Sequence, residues 1–487
     1  MPLAAVAAWL VLFAYGAVVW WMAPGRVTAG QFFDGSSERG REPNLWLLVA
    51  SAAITWIFAK SIANAASLGA AFGIVGGIGY GIYYLAFVVV GVAVYLMRTK
   101  GGWRSLSEFL VTKYGGLCAR LFLAAVAIRL FNEVWSNTKV ASLFFGAEGS
   151  TGYWLAAAAF TLFTLAYSWR GGLRSSLLTD GIQMLLAGAL LVAILAIVGP
   201  PLGATGLPKL DAPTHAAGAT FALLALVQVL SYGFHDPVMT DRAFITRPRQ
   251  MLKGFILAGL LAGGFIVLFS IVGLYAKAAG LAGDPSVTVP AQFGLPMLLM
   301  FNAIMLTSGG STLNATFAST AKLVARDWSN DYAPPSERHA ARGRRLMLAV
   351  ALLGNLPLLA LYLPAGAGPA VIAATTISGT MVMGLAPIFL LGWIRPAGAL
   401  SFHLAFWPGI LFGVLLTVEA GAGVHIFPAA LLLGAGRYAG DLGVNVYGVI
   451  LCTAGYLLGA AVSALRAPGR APLRHARRTP RPHPNLS

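Results

Sequence analysis

Cysteine is nearly missing: the chain has two, Cys118 and Cys452, in 487 residues. They sit in or at the ends of different apolar stretches, which excludes a disulfide framework and leaves both as free thiols. Charge is scarce too, at 10% of residues against 58% hydrophobic. A soluble protein carries about a quarter charged residues. The seven histidines show no ligand spacing, and the sequence has no HExxH, paired-aspartate protease or Walker motif. Metal-centred hydrolysis and ATP-driven work therefore find no support. Fragments such as Gly77-Ile78-Gly79 are ordinary in membrane helices, where glycine is frequent. No catalytic constellation and no cofactor are expected.

What the chain has in excess is apolar sequence, with a mean hydropathy of +0.77. A spanning helix needs roughly 20 apolar residues. Thirteen stretches qualify: 3–23, 45–73 (interrupted), 79–97, 117–146, 153–169, 178–199, 218–234, 252–279, 294–321, 344–363, 367–393, 398–418 and 445–465. The patch 426–435 is too short and reads as part of a loop. The first stretch has no basic residues before it and Arg26 after it, the reverse of a signal peptide, so it is expected to remain as a span.

Net charge is +17, yet its distribution argues against nucleic acid. With the amino terminus outside, Lys209, Lys277 and Arg437 are the only Lys or Arg in outer connections. Lys60, Arg129 and Lys139 lie within spans, and all others fall in inner connections or the tail. Such a bias sets topology. It predicts a multi-pass protein of the cell (inner) membrane with a cytoplasmic carboxyl terminus. The tail 467–487 reads as a disordered basic segment suited to anionic lipid.

Two stretches are interrupted. The second carries Lys60, Ser61 and Asn64 amid apolar sequence, and the seventh contains Tyr232-Gly233-Phe234-His235-Asp236-Pro237. Unwound backbone survives at membrane depth only where protein or a cavity satisfies it. Paired interruptions in two halves point to a transporter's binding site. They lie five spans apart, as two inverted five-helix repeats require. The implied division is 1–44 (first span and loop), 45–200 and 201–396 (the repeats), 397–466 (two accessory spans) and 467–487.

In the ninth stretch, Ser308, Ser311 and Thr312 fall at i, i+3 and i+4, on one helix face. Thr312 is ten residues before Lys322, roughly 15 Å from that end. Ile54 and Ile57 reach a similar depth. Hydroxyls facing freed carbonyls would make an all-oxygen site of the kind hard cations prefer. Alternatively, the hydroxyls bond their own i−4 carbonyls or help helices pack.

The segment "TSGGSTLNATFASTAKLVARD" resembles the corresponding helix of the sodium:solute symporter family, relatives of the proline, sugar, pantothenate and urea transporters. Ser311-Thr312 followed by Asp327 keeps that family's spacing. "YSWRGGLRSSLLTDGIQ" (167–183) is similar to its Gly-Gly, Thr-Asp, Gln signature, and "GFHDPVMTDRAFITRPRQMLKG" (233–254) to the loop after its broken seventh helix. The resemblance implies an all-α, leucine-transporter-type fold of thirteen spans and sodium-coupled uptake of a small organic solute. It also implies a sodium site from the carbonyls of Ile54, Ile57 and Ser308 with the hydroxyls of Ser311 and Thr312. Asp180 falls at the family's inner-gate aspartate; compensation of a helix N-terminus is the other reading.

Lys60 departs from that pattern. Arg129, Asn132, Glu133 and Ser136 form a polar stripe on the fourth stretch at a depth comparable with Lys60. Glu133 is expected to pair with Lys60 or Arg129 but not to neutralise both, leaving a cation for an anionic solute such as a carboxylate. Alternatives are a network that only fixes packing, or a Lys60 ammonium in the cation site, making transport sodium-independent or proton-coupled. A transporter-derived sensor is a further alternative. Solute contacts are expected from Ser61, Asn64, Arg129, Asn132, Glu133, Gln228 and Tyr232, with Thr376 or Ser378.

Overall fold

The computed structural model describes residues 3–37, 39–329, 331, 333–362 and 378–466. Every regular element among the described residues is helical. The main helices are α1 (Leu3–Met22), α2 (Leu45–Trp56), α3 (Ala59–Gly81), α4 (Ala86–Leu96), α5 (Gly116–Ser142), α6 (Thr151–Thr205) and α7 (Ala212–Tyr232). They continue with α8 (Pro237–Arg242), α9 (Pro248–Ala278), α10 (Leu295–Lys322), α11 (Glu337–Leu353), α12 (Leu385–Leu390), α13 (Ala399–Ala422) and α14 (Ala439–Arg466). The basic tail lies outside the described residues.

Among the described residues, seven helices are long and apolar enough to cross a bilayer, but two are far too long to do so once. The segment Thr151–Thr205 has 55 residues. Straight, it would reach about 80 Å, more than twice the hydrocarbon thickness. It is not straight. Gly172 sits at φ 51°, ψ −134°, a conformation open only to glycine. One side chain proves the reversal there. Asn314 of α10 accepts from Ser168 Oγ at 2.7 Å and donates to Thr179 Oγ1 at 3.3 Å. A straight helix would hold residues 168 and 179 about 16 Å apart. Only a hairpin brings both to one amide.

Gly73 does the same in α3, at φ 61°, ψ −150°. Tyr80 Oη meets Ser61 Oγ at 3.0 Å and Asn64 Nδ2 at 3.2 Å. Along a straight helix residues 61 and 80 would lie about 28 Å apart. The gaps at 73–79 and 169–178 between apolar stretches are therefore reversals about single glycines, not loops.

The break before α3 lies earlier than the polar residues suggest. Ile57 (ψ 70°) and Phe58 (ψ 149°) leave the helix, and Lys60 already belongs to the next one. Among the described residues no backbone N–H donates to the carbonyls of Ile54, Thr55 or Ile57. The break after α7 falls where it was expected. A turn at Gly233–His235 leads to Asp236, whose Oδ1 caps α8 by accepting from the Val238 and Met239 N–H groups. Pro237 opens α8, where its missing N–H costs nothing.

Small residues let the core helices approach closely. A Cβ on Gly273 of α9 would lie 1.8 Å from the Ala66 carbonyl oxygen of α3. Arg129, Glu133, Ser136 and Asn137 of α5 and Ser308, Ser311 and Thr312 of α10 are turned inward, as polar groups in a span must be.

Candidate functional site

Two buried polar clusters meet at the two breaks. The first joins α2, α6, α8 and α10 around Asp180. Its Oδ1 accepts from Ser311 Oγ at 2.6 Å. Its Oδ2 accepts from Ser51 Oγ at 2.6 Å, Ser176 Oγ at 3.0 Å and Arg242 Nη2 at 3.1 Å. Arg242 also donates to Ser51 Oγ and to the Val238 carbonyl, each at 2.8 Å. Asp180 and Arg242 are wholly buried. Helix-terminus compensation does not describe Asp180, which stands eight residues past the reversal at Gly172, beyond the first turn.

Thr312 Oγ1 donates to the Ser308 carbonyl at 3.0 Å and faces the Thr55 carbonyl of the broken α2 at 3.4 Å. Ser308 Oγ is buried without a hydrogen-bond partner among the described residues. Ile54 and Ile57 are buried beside the break. The donor set at this junction is entirely oxygen: hydroxyls, freed carbonyls and the Asp180 carboxylate. That chemistry fits a hard cation.

The second cluster corrects the expected charge count. Glu133 pairs with Lys60 at 2.7 Å and also with Arg129 one turn earlier on α5. Arg129 Nη2 in turn meets Asp236 Oδ2 at 3.1 Å. Two cations thus face two carboxylates, all buried, and no positive charge is left over. The sequence reading counted only Glu133 because Asp236 looked like part of a loop motif; its second oxygen remains free after capping α8. Lys60 Nζ is also held by Ser136 Oγ at 3.1 Å. Its ammonium is thus directed at α5 rather than at Ser311 and Thr312, against the alternative that it fills the cation position. Asn137 Nδ2 supports the other Glu133 oxygen at 3.0 Å.

Tyr232 stacks under the Arg129 guanidinium, 5.0 Å from ring centre to Cζ. Phe58, at the other break, lies beneath both Arg129 and Lys60. A small cavity of about 30 Å³ borders Arg129, His235 and Ser378. Arg129 Nε and Asn132 Nδ2 are buried without partners among the described residues. Ser61 and Asn64 are engaged by Tyr80. Gln228 is engaged elsewhere, accepting from Tyr83 Oη at 2.5 Å and reaching Asn445 of α14 at 3.3 Å. Thr376 lies outside the described residues.

At the end of α10, Lys322 pairs with Asp241, which also accepts from Ser319 Oγ at 2.8 Å. Asp327 is partly buried nearby. Burial pushes its carboxyl up to about 6, against the opposing pull of Lys322.

Sequence reasoning missed Ser51, Thr55, Ser176, Asp236 and Arg242. Only Asp236 carried a signal, as an N-cap before proline in a membrane segment. Arg242 looked like one more inner-loop charge.

No family model and no curated protein matches the sequence. Solved structures do match the fold. One is a Na+-coupled sialic acid symporter in a substrate-bound, outward-open state that reveals a novel Na+ site. It has a TM-score of 0.68 at 15% identity, covering 95% of this chain and 99% of that one. Another is Mhp1, a nucleobase-cation-symport-1 family transporter, in a closed conformation with bromovinylhydantoin bound. Its TM-score is 0.56 at 13% identity, covering 92% of this chain and 96% of that one. Both are transporters rather than enzymes, and the chain shares their leucine-transporter-type helical fold.

Proposed function

We propose that the chain is a sodium-coupled symporter of a small organic solute, working by alternating access, and a member of the sodium:solute symporter family. The observation that carries this reading is Thr312 Oγ1 facing the Thr55 carbonyl at the break between α2 and α3. Sodium would bridge α10 to that break through the hydroxyls of Ser311 and Thr312, with carbonyls from Ser308, Ile54 and Ile57 and that of Thr55 added. The ion would tie the two helices together while the solute is held, and its loss to the cytoplasm would release them. Thirteen spans, ten of them in two inverted repeats (45–200 and 201–396) and three accessory, suit both hairpins, with the amino terminus outside.

The solute would lie between α3, α5 and α7, with a hydrogen-bond acceptor toward Arg129 Nε and Asn132 Nδ2. The balanced charges remove the reason to require an anion. A polar solute without net charge fits this network best, since it adds nothing to neutralise. Uptake into proteoliposomes tests the proposal, using carboxylates, amino acids, sugars and urea, with sodium or choline outside. Accumulation of one class that requires sodium is the expected result. Accumulation indifferent to sodium would reject coupling by this ion.

A further inference from the structure

Three polar side chains outside both clusters converge on the residue just before Ser311. Gly310 of α10 carries its carbonyl against Tyr167 Oη, which donates to it at 3.0 Å. Tyr15 comes from α1, which lies outside the two proposed repeats. Its hydroxyl oxygen would be 1.7 Å from a Cβ placed on Gly310. Any side chain there would have to displace Tyr15. Tyr15 Oη also accepts from Gln183 Nε2 at 2.8 Å, and its ring packs against Tyr167.

Gln183 stands three residues after Asp180 and thus shares its helix face. Besides the Thr179–Asn314 bond, the second half of α6 therefore bears on α10 at Gly310 and Ser311. Asp180 acts directly on Ser311, and Gln183 acts on Gly310 through the wedged Tyr15. The other Gln183 atom, Oε1, is buried and unpartnered among the described residues, while its amide meets the hydroxyls of Tyr15 and Tyr167. A shift of α10 along its axis would have to move Gly310 past the Tyr15 hydroxyl.

We propose that Tyr15 is a positioning residue for the cation site: wedged against Gly310 and held by Gln183, it fixes the register in which α10 presents Ser311 and Thr312. The inference rests on the proposed cation role of those two hydroxyls. It gives α1 a task in ion affinity although α1 contributes no ligand.

Purified full-length protein in detergent is melted across a sodium chloride series, with choline chloride holding ionic strength constant. Binding of radiolabelled sodium is measured beside it. Tyr15→Phe keeps the ring and removes the hydroxyl. It should melt near wild type in choline yet need about three- to ten-fold more sodium for half-maximal stabilisation, the scale of one buried hydrogen bond. Gly310→Ala should weaken sodium binding more, and Gly310→Ala with Tyr15→Leu should recover part of the loss because the obstruction is gone. Wild type that neither binds sodium nor is stabilised by it overturns the cation site itself. Sodium-responsive wild type with an unchanged half-point in Tyr15→Phe, or no recovery in the double variant, overturns the positioning role alone.

Discussion

Asp236 Oδ2 lies 3.1 Å from Arg129 Nη2, and this contact ties the two broken helices to one buried network. Lys60 stands just after the first break and Asp236 at the second, with Arg129 and Glu133 of α5 between them. Opening a path between α3 and α7 means parting one of these pairs.

Removing one partner of a buried pair strands the other and costs about 3–5 kcal/mol. Glu133→Gln strands part of both cations and should destabilise more than Asp236→Asn, whose amide oxygen can still cap α8. Lys60→Met combined with Glu133→Gln leaves Arg129 paired with Asp236 and should restore most of the stability. Melting of each variant in detergent checks the order. Equal losses in all three would mean that the network does not share charge as its geometry indicates.

Thr312→Ala removes the hydroxyl nearest the Thr55 carbonyl. It should raise the sodium concentration for half-maximal uptake about five- to hundred-fold, corresponding to about 1–3 kcal/mol. A sodium titration of initial uptake rates decides it. Unchanged sodium dependence would remove Thr312 from the site.

Gly172→Ala tests the hairpin. The backbone angle is strained for any other residue, and the new Cβ would meet the Phe32 carbonyl oxygen at 2.5 Å. Strain alone is worth about 1–3 kcal/mol. Reduced yield of monodisperse protein and a lower melting temperature are expected. Gly188→Ala, with open space around it, should be silent.

Asp327 gives stability a pH dependence. Its carboxyl is raised in the fold from 3.8 to about 6, so the folded chain holds this proton more tightly than the unfolded one. The contribution is full below about 4 and fades as pH rises through about 6. Asp327→Asn should therefore melt higher than wild type at pH 7.5 and no differently near pH 4. A gap that widens toward acid would reverse the assignment.

Orientation can be read with cysteine. Residues 211, 284 and 338 are exposed, and both native thiols are buried. Cysteine at Asp211 or Asp284 should react with impermeant reagents from outside intact cells, and cysteine at Arg338 only after permeabilisation. The opposite pattern would invert the proposed topology.

Helices were legible because lipid forces long apolar runs, and the break after α7 because Gly233 and Pro237 cannot continue a regular helix. The break before α3 was displaced since nothing at Ile57 or Phe58 forbids a helix; Tyr84 and Thr312 stabilise it by bonding the Trp56 and Thr55 carbonyls. Ser311 and Thr312 stood out by spacing along one helix. Arg242 reaching Asp180, or Tyr15 reaching Gly310, depends on contacts between distant segments that no local pattern records.

The two single-glycine reversals differ in what they tell the membrane-insertion machinery. No charged residue lies within ten positions of Gly73 on either side. The pair of helices around it has no hydrophilic loop to translocate and carries no charge signal at its tip. Its direction must be inherited from Arg39 and Arg41 before it and from Arg98, Lys100 and Arg104 after it. The tip at Gly172 is flanked by Arg170 and Arg174, so that hairpin orients itself. During synthesis the first hairpin can enter lipid as a unit but must wait for its neighbours to choose a side.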